Sequence, residues 1–167
     1  MIKIIATLLT LFAFNVSHAK VNVGIILGFT GPIETLTPGM SAGAELAFNE
    51  AADSGKLLNG QSINIIKVDS TCVDSAAATS AAESLISQGV TAIMGADCSG
   101  VTGAVLSNVA VPNGVPMISP SATSPGLTTA PDNGLFFRTA PSDARGGEVL
   151  ADITSSRGIS SVAITYV

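Results

Sequence analysis

Tryptophan is absent from this 167-residue chain, tyrosine occurs once, and the aromatic share is 4%. An aromatic platform for stacking on bases is therefore not expected. Positive charge is nearly as scarce: seven Lys and Arg stand against twelve Asp and Glu, with no basic run. Nucleic-acid affinity rests largely on phosphate contacts from such runs, so nucleic acid is not an expected partner. Histidine occurs once, as His18, and cysteine twice. Two cysteines without histidine make a poor zinc site, and no cofactor is implied.

His18 lies in a stretch that reads as outside the fold. MIKIIATLLTLFAFNVSHA has a short positive start at Lys3 and an apolar run over 4–16, too short to span a bilayer comfortably. Ser17-His18-Ala19 then supplies small residues before a cut after Ala19. This pattern predicts a signal peptide over 1–19; the alternative is an uncleaved membrane anchor. No cysteine follows the apolar run, which argues against a lipid anchor. The mature chain is expected to begin at Lys20, in an exported and oxidising compartment. Losing His18 leaves no imidazole for a Ser-His-Asp or Cys-His arrangement. Losing Lys3 leaves six basic residues against twelve acidic ones.

Apolar runs suited to buried strands alternate with helical patterns along the rest of the chain. Strands are predicted at 21–27, 62–68, 90–94 and 115–118, with a brief extended piece at 135–138. A helix over 38–52 would turn Met40, Ala44, Ala47, Phe48 and Ala51 inward. A second, over 76–87 and capped by Asp74, would bury Ala78, Ala81, Ala82, Leu85 and Ile86. A third, after Gly-Ala-Asp-Cys-Ser-Gly, would carry Val101, Val105 and Val109 inward, and a fourth is expected over 143–155. The loop SPSATSPGLTT holds too many breakers for regular structure. This alternation predicts an α/β fold with a parallel, doubly wound sheet. The last run, 161–167, reads as a buried strand, and a chain stopping on it suggests the front part of a longer protein; the alternative is a true C-terminal strand.

Ligands of open parallel sheets sit beyond the carboxyl ends of the strands. Three loops there are built of small residues and hydroxyls: Gly28-Phe29-Thr30-Gly31-Pro32, Ala96-Asp97-Cys98-Ser99-Gly100 and Ser119-Pro120-Ser121-Ala122-Thr123. Such residues let a ligand approach the backbone closely. Ser99 falls at the start of the third helix, where N–H groups and the helix dipole favour an anion such as a carboxylate. The alternative is that Ser99 only caps its helix. A serine nucleophile is the weakest reading, with no histidine and no Gly-x-Ser-x-Gly pattern. Asp97 reads as an ordinary turn or surface carboxylate. Cys72 and Cys98 each follow a predicted strand end, and in an exported protein they are expected to pair.

VNVGIILGFTGP, STCVDSAAAT, GVTAIMGADCSG, VPMISPSATSPGLT and FFRTAPSDARGGEVLADI, in this order, resemble the start of the leucine/isoleucine/valine-type periplasmic binding proteins. These are the substrate-binding subunits of branched-chain amino-acid ABC transporters, with the type I periplasmic binding fold. The resemblance implies two doubly wound lobes closing over a ligand, and a membrane permease as partner. It implies that Ser99 holds the ligand carboxylate, and that Ser121 offers its backbone carbonyl to the ammonium. Thr123 would touch both charged ends, with Gly100 and Ala122 completing the set, and Cys72 and Cys98 match the family disulfide. Leu36 falls where several amino-acid binders place an aromatic. Two lobes need roughly 300 residues. The expected organisation is thus a signal peptide over 1–19, an incomplete first lobe over 20–140, and the start of a second lobe over 141–167. The returning strands of the first lobe and the rest of the second would then be missing. The resemblance implies a monomeric, periplasmic binder that is not an enzyme; alternatives are a receptor's ligand-sensing domain with the same fold and an exported hydrolase using Ser99.

Overall fold

The structure is a computed structural model that describes residues 20–56 and 61–165. The predicted signal peptide, and the end of the last predicted strand at 166–167, lie outside the described residues. Strands β1 (Val21–Leu27), β2 (Ile63–Asp69), β3 (Val90–Gly95), β4 (Met117–Ser119) and β5 (Phe136–Arg138) form one sheet in the order β2-β1-β3-β4-β5. All four pairings are parallel. Helices α1 (Thr37–Asp53), α2 (Ser75–Ser87), α3 (Ser99–Val105), α4 (Val111–Asn113) and α5 (Asp143–Ser156) alternate with them. The chain steps outward from β1 to β2 and then back across to β3, so the loops after β1 and β3 part company at the sheet's switch point.

One sheet face is fully dressed. Ala78, Ala82 and Leu85 of α2, with Val101 and Val105 of α3, pack with Ile26, Ile93 and Met117 in a single core. The alanines let α2 lie close to the sheet, and Gly24 makes room for Leu85: a Cβ there would fall 2.6 Å from the Leu85 Cδ1. Asp74 caps α2 as predicted, accepting from the Ala76 and Ala77 N–H groups. The third helix is longer than one regular element. Between α3 and α4 it passes through a widened turn, Leu106–Ala110, where the Val111 N–H donates to the Leu106 carbonyl five residues back. Pro112 follows; it lacks an N–H and crowds the preceding turn, so the ladder opens there.

The other face carries α1 over β1 and β2, where Glu45 pairs with Lys67 at 2.5 Å. Its buried residues are Thr37 and Ser41, which corrects the predicted inward stripe. Ala44, Ala47 and Phe48 instead line an open apolar groove of 320 Å³ with Met94, Ile118, Pro120 and Thr139. The stripe is short of bulk, and among the described residues nothing fills the space between it and β4.

Over its described part the strand predicted over 161–167 is not formed: residues 161–165 belong to no helix or sheet, with Val162 63% and Ile164 87% exposed. A strand exists through its partner's hydrogen bonds, and none of the five strands pairs with this segment. It lies beside α5, where Leu150 and Thr154 share a shallow cavity with Val162 and Ile164.

Candidate functional site

The carboxyl ends of β1, β2 and β3 are bound together by two aspartates and one disulfide. Asp97, 2% exposed, accepts hydrogen bonds from the Gly28 N–H (2.6 Å), the Ser70 hydroxyl (3.2 Å) and the Cys98 N–H (2.9 Å). It is therefore a buried structural carboxylate and not a surface one. Asp69, at the end of β2, takes the Thr30 hydroxyl at 2.5 Å and the Thr71 N–H at 2.8 Å. Partial burial raises its carboxyl pKa, but the bonds from the Thr30 hydroxyl and the Thr71, Thr30 and Phe29 N–H groups outweigh this and hold it below 3.8.

Cys72 and Cys98 form the expected disulfide, with their Cα atoms 5.2 Å apart. Thr71 and Cys72 both adopt left-handed backbone, with φ of 59° and 69°. Such conformations are costly for residues with a Cβ and persist only where surroundings fix them. Here the disulfide and Asp69 do so. Gly28 fits between the clamps because a Cβ would press at 3.2 to 3.3 Å on Cys72 and Asp97.

On this platform stands Ser99, the first residue of α3. The N-cap position belongs to Cys98, and no side chain caps the helix. The capping alternative for Ser99 is thus not what is found. Its Oγ accepts the Ser124 N–H at 3.1 Å from the loop after β4. Among the described residues the Ser99 hydroxyl has no acceptor, so its hydrogen is available. Gly100 follows, exposed, and a Cβ there would meet nothing within 4 Å.

The loop after β4 is held in shape by hydroxyls and one cation. The buried Ser119 hydroxyl donates to the Ala96 carbonyl and accepts the Ala122 N–H at 3.0 Å. Ser121 donates its hydroxyl to the Asp97 carbonyl at 3.0 Å, so its side chain joins the two loops. Its own carbonyl accepts no hydrogen bond among the described residues. Ala122 is fully buried and its carbonyl receives Arg138 at 3.3 Å. Thr123 donates its hydroxyl to Asp143 Oδ2 at 2.8 Å, and its carbonyl accepts the Asp143 N–H at 3.0 Å. The Thr123 N–H has no acceptor among the described residues. Leu36, 59% exposed, stands on the loop after β1, immediately before α1.

Sequence reasoning missed three supports. Arg138 donates to the Ser124 carbonyl at 2.8 Å and to the Thr128 hydroxyl at 2.6 Å, besides Ala122. Its signal was a lone cation ending an apolar strand, the only one between Lys67 and Arg145. Ser119 and Asp143 left a weaker trace, since a serine in a serine-rich loop and an acid opening a helix are both ordinary.

Ser99, Ser121 and Thr123 thus stand on two loops tied together through Ser124 and Asp97 at the carboxyl ends of β3 and β4. Known proteins carry the same framework. A sequence profile described as "Periplasmic binding protein" matches residues 20–167. A Leu/Ile/Val-binding protein, BraC3, from Rhizobium johnstonii is 32% identical over 149 residues, covering 87% of this chain and 39% of that protein. Among solved structures, the substrate-binding protein LivJ from Streptococcus pneumoniae, in complex with isoleucine, superposes with a TM-score of 0.72 at 30% identity. That match covers 82% of this chain and 38% of LivJ. A solute-binding protein of an ABC transporter from R. palustris, in complex with benzoate, gives 0.68 at 28% identity, covering 84% of this chain and 38% of its own. The chain therefore spans about two fifths of the length of these relatives, as an incomplete type I lobe. By profile, sequence and fold, the chain belongs to the periplasmic binding protein family.

Proposed function

We propose that this chain supplies the first ligand-binding lobe of a substrate-binding protein that captures an amino acid for an ABC transporter permease. One observation carries the reading. Ser99, Ser121 and Thr123 stand on two linked loops with bonding capacity left over among the described residues: a hydroxyl hydrogen on Ser99, a carbonyl on Ser121 and an N–H on Thr123. Two donors and an acceptor on one rim match the carboxylate and ammonium of a zwitterion. The names of the relatives, Leu/Ile/Val-binding and isoleucine-bound, support a branched-chain or similar amino acid.

In this reading residues 1–19 direct export and are removed, residues 20–140 form the first lobe, and residues 141–167 begin the second. The protein acts as a monomer in the periplasm and catalyses no reaction. The first lobe takes the charged ends of the ligand, and closure of a second lobe buries it. Only contacts that differ between open and closed forms shift that equilibrium. The permease then recognises the closed form.

Calorimetric titration of the protein as its host produces it, with L-leucine, L-isoleucine, L-valine and benzoate, tests this. Binding of at least one amino acid is expected, weakened about tenfold or more in Ser99→Ala, with a melting temperature little changed because the Ser124 N–H it releases is only half-buried. Equal affinity in Ser99→Ala would remove Ser99 from the site. Binding of benzoate alone would overturn the amino-acid assignment.

A further inference from the structure

The two hydroxyls at the rim are set in opposite senses, and a residue at the start of α5 sets one of them. A hydroxyl has a single hydrogen. Ser99 keeps its own, because its oxygen already accepts the Ser124 N–H at 3.1 Å. Ser99 is therefore a donor toward the crevice. Thr123 has spent its hydrogen on Asp143 Oδ2 at 2.8 Å, so its oxygen can only accept from anything else. An ionised carboxylate cannot donate in return, which makes the direction of this bond unambiguous. The Asp143 N–H donates to the Thr123 carbonyl at 3.0 Å and fixes the carboxylate over the loop. Asp143 Oδ1 accepts no hydrogen bond among the described residues. Asp143 opens α5, whose residues include none that are buried. The pair is thus a link between the loop and the segment that follows it.

Resting on the amino-acid reading above, we propose that Asp143 is the positioning residue that gives this rim its ammonium end. It turns the Thr123 hydroxyl into an acceptor and places a negative charge beside it. The site then selects a compound with a cationic nitrogen next to its carboxylate over a plain carboxylate of the same skeleton. Without Asp143, the Thr123 hydroxyl is free to donate, and the rim no longer tells the two apart.

The test is titration of the host-produced protein with L-leucine and with 4-methylpentanoate, which keeps the skeleton and carboxylate but lacks the amino group. Asp143→Asn retains size and removes charge; Asp143→Glu retains charge. Leucine affinity is expected to fall about tenfold in Asp143→Asn. It should stay within about threefold of the parent in Asp143→Glu, because the charge is kept. Affinity for 4-methylpentanoate should hold or rise in Asp143→Asn. An equal fall for both probes, or an equal fall of leucine in both variants, would show a merely structural Asp143 and overturn the inference. No fall in Asp143→Asn would do the same. In each of these cases leucine binding by the parent leaves the amino-acid reading standing. A parent that binds neither probe, nor isoleucine or valine, removes that reading and the role of Asp143 with it.

Discussion

Asp97 and Asp69 bear the mechanical load of the crevice, and their environments predict different behaviour. Removing the Asp97 carboxylate strands the buried Gly28 N–H and the half-buried Cys98 N–H. Asp97→Ala is therefore expected to lose about 2–3 kcal/mol of stability, read by urea denaturation. Asp69 has a folded pKa held below its ordinary 3.8. Its contribution is fully present above that value and is lost as pH falls through the lower, folded one. Melting temperature plotted against pH should thus drop more steeply below about pH 4 in the parent than in Asp69→Asn. Superimposable profiles would separate Asp69 from acid stability. At this scale the sequence was readable where residue type alone limits the role. The cysteine pair was legible from two strand ends in an exported chain, and the loops that carry Ser99, Ser121 and Thr123 stood out by their small, hydroxylated residues. Asp97 was misread as a surface group, because burial of a carboxylate here depends on two donors, Gly28 and Ser70, arriving from other loops. Arg138 and Asp143 act through partners 10 to 20 residues away, and no local pattern announces such bonds.

Elements with strong periodicity and a cap were legible almost to the residue; those that depend on a neighbour were not. β1 and α2 form where alternation, apolar runs and Asp74 place them, since these signals are local. The strand expected over 161–167 carries the same kind of apolar run, yet an apolar run makes a strand only when a sheet edge receives it. The disulfide belongs to this scale because it joins the loops after β2 and β3 across β1. In the chain-entropy model a closed loop of 26 residues stabilises by roughly 3.5 kcal/mol. Cys72→Ala/Cys98→Ala should lower the denaturation midpoint accordingly, and a midpoint unchanged from the oxidised parent would refute this. Glycines supply a contrasting pair. Gly95 sits at φ 125°, where a Cβ would overlap the Ile26 carbonyl oxygen. Gly95→Ala is expected to cost more than about 2 kcal/mol. Gly100, in the first turn of α3, has open space around it, so Gly100→Ala should leave stability level or raise it by up to about 1 kcal/mol. A loss of ligand affinity in that more stable variant would mark close backbone approach at Gly100.

Across the whole molecule the sheet is dressed unequally. Lys67, Ile25, Met94, Ile118 and Phe137 are register partners from β2 to β5 and so share one face. Ile25 is fully buried beneath α1, but Ile118 is 42% and Phe137 56% exposed. Parallel sheets are ordinarily covered on both faces, because their strands are apolar throughout. Composition and periodicity could predict the double winding; they could not show that cover on this face thins toward β5. That depends on where α1 comes to rest, and its small Ala44 and Ala47 leave the groove beside Phe48 open. A contiguous bare apolar strip drives association and dye binding out of proportion to its contribution to folding. Ile118 and Phe137 make that separable. Ile118→Thr with Phe137→Thr keeps β-branched residues suited to strands, so the 167-residue chain should retain its melting temperature within a few degrees. It should bind much less of a hydrophobic reporter dye and sediment as a smaller species than the parent. Unchanged dye binding would place the reactive surface elsewhere, beside α5, where Leu150, Val162 and Ile164 are also exposed. A melting temperature that collapsed with the dye signal would instead show that this strip is already buried in solution, against another copy of the chain.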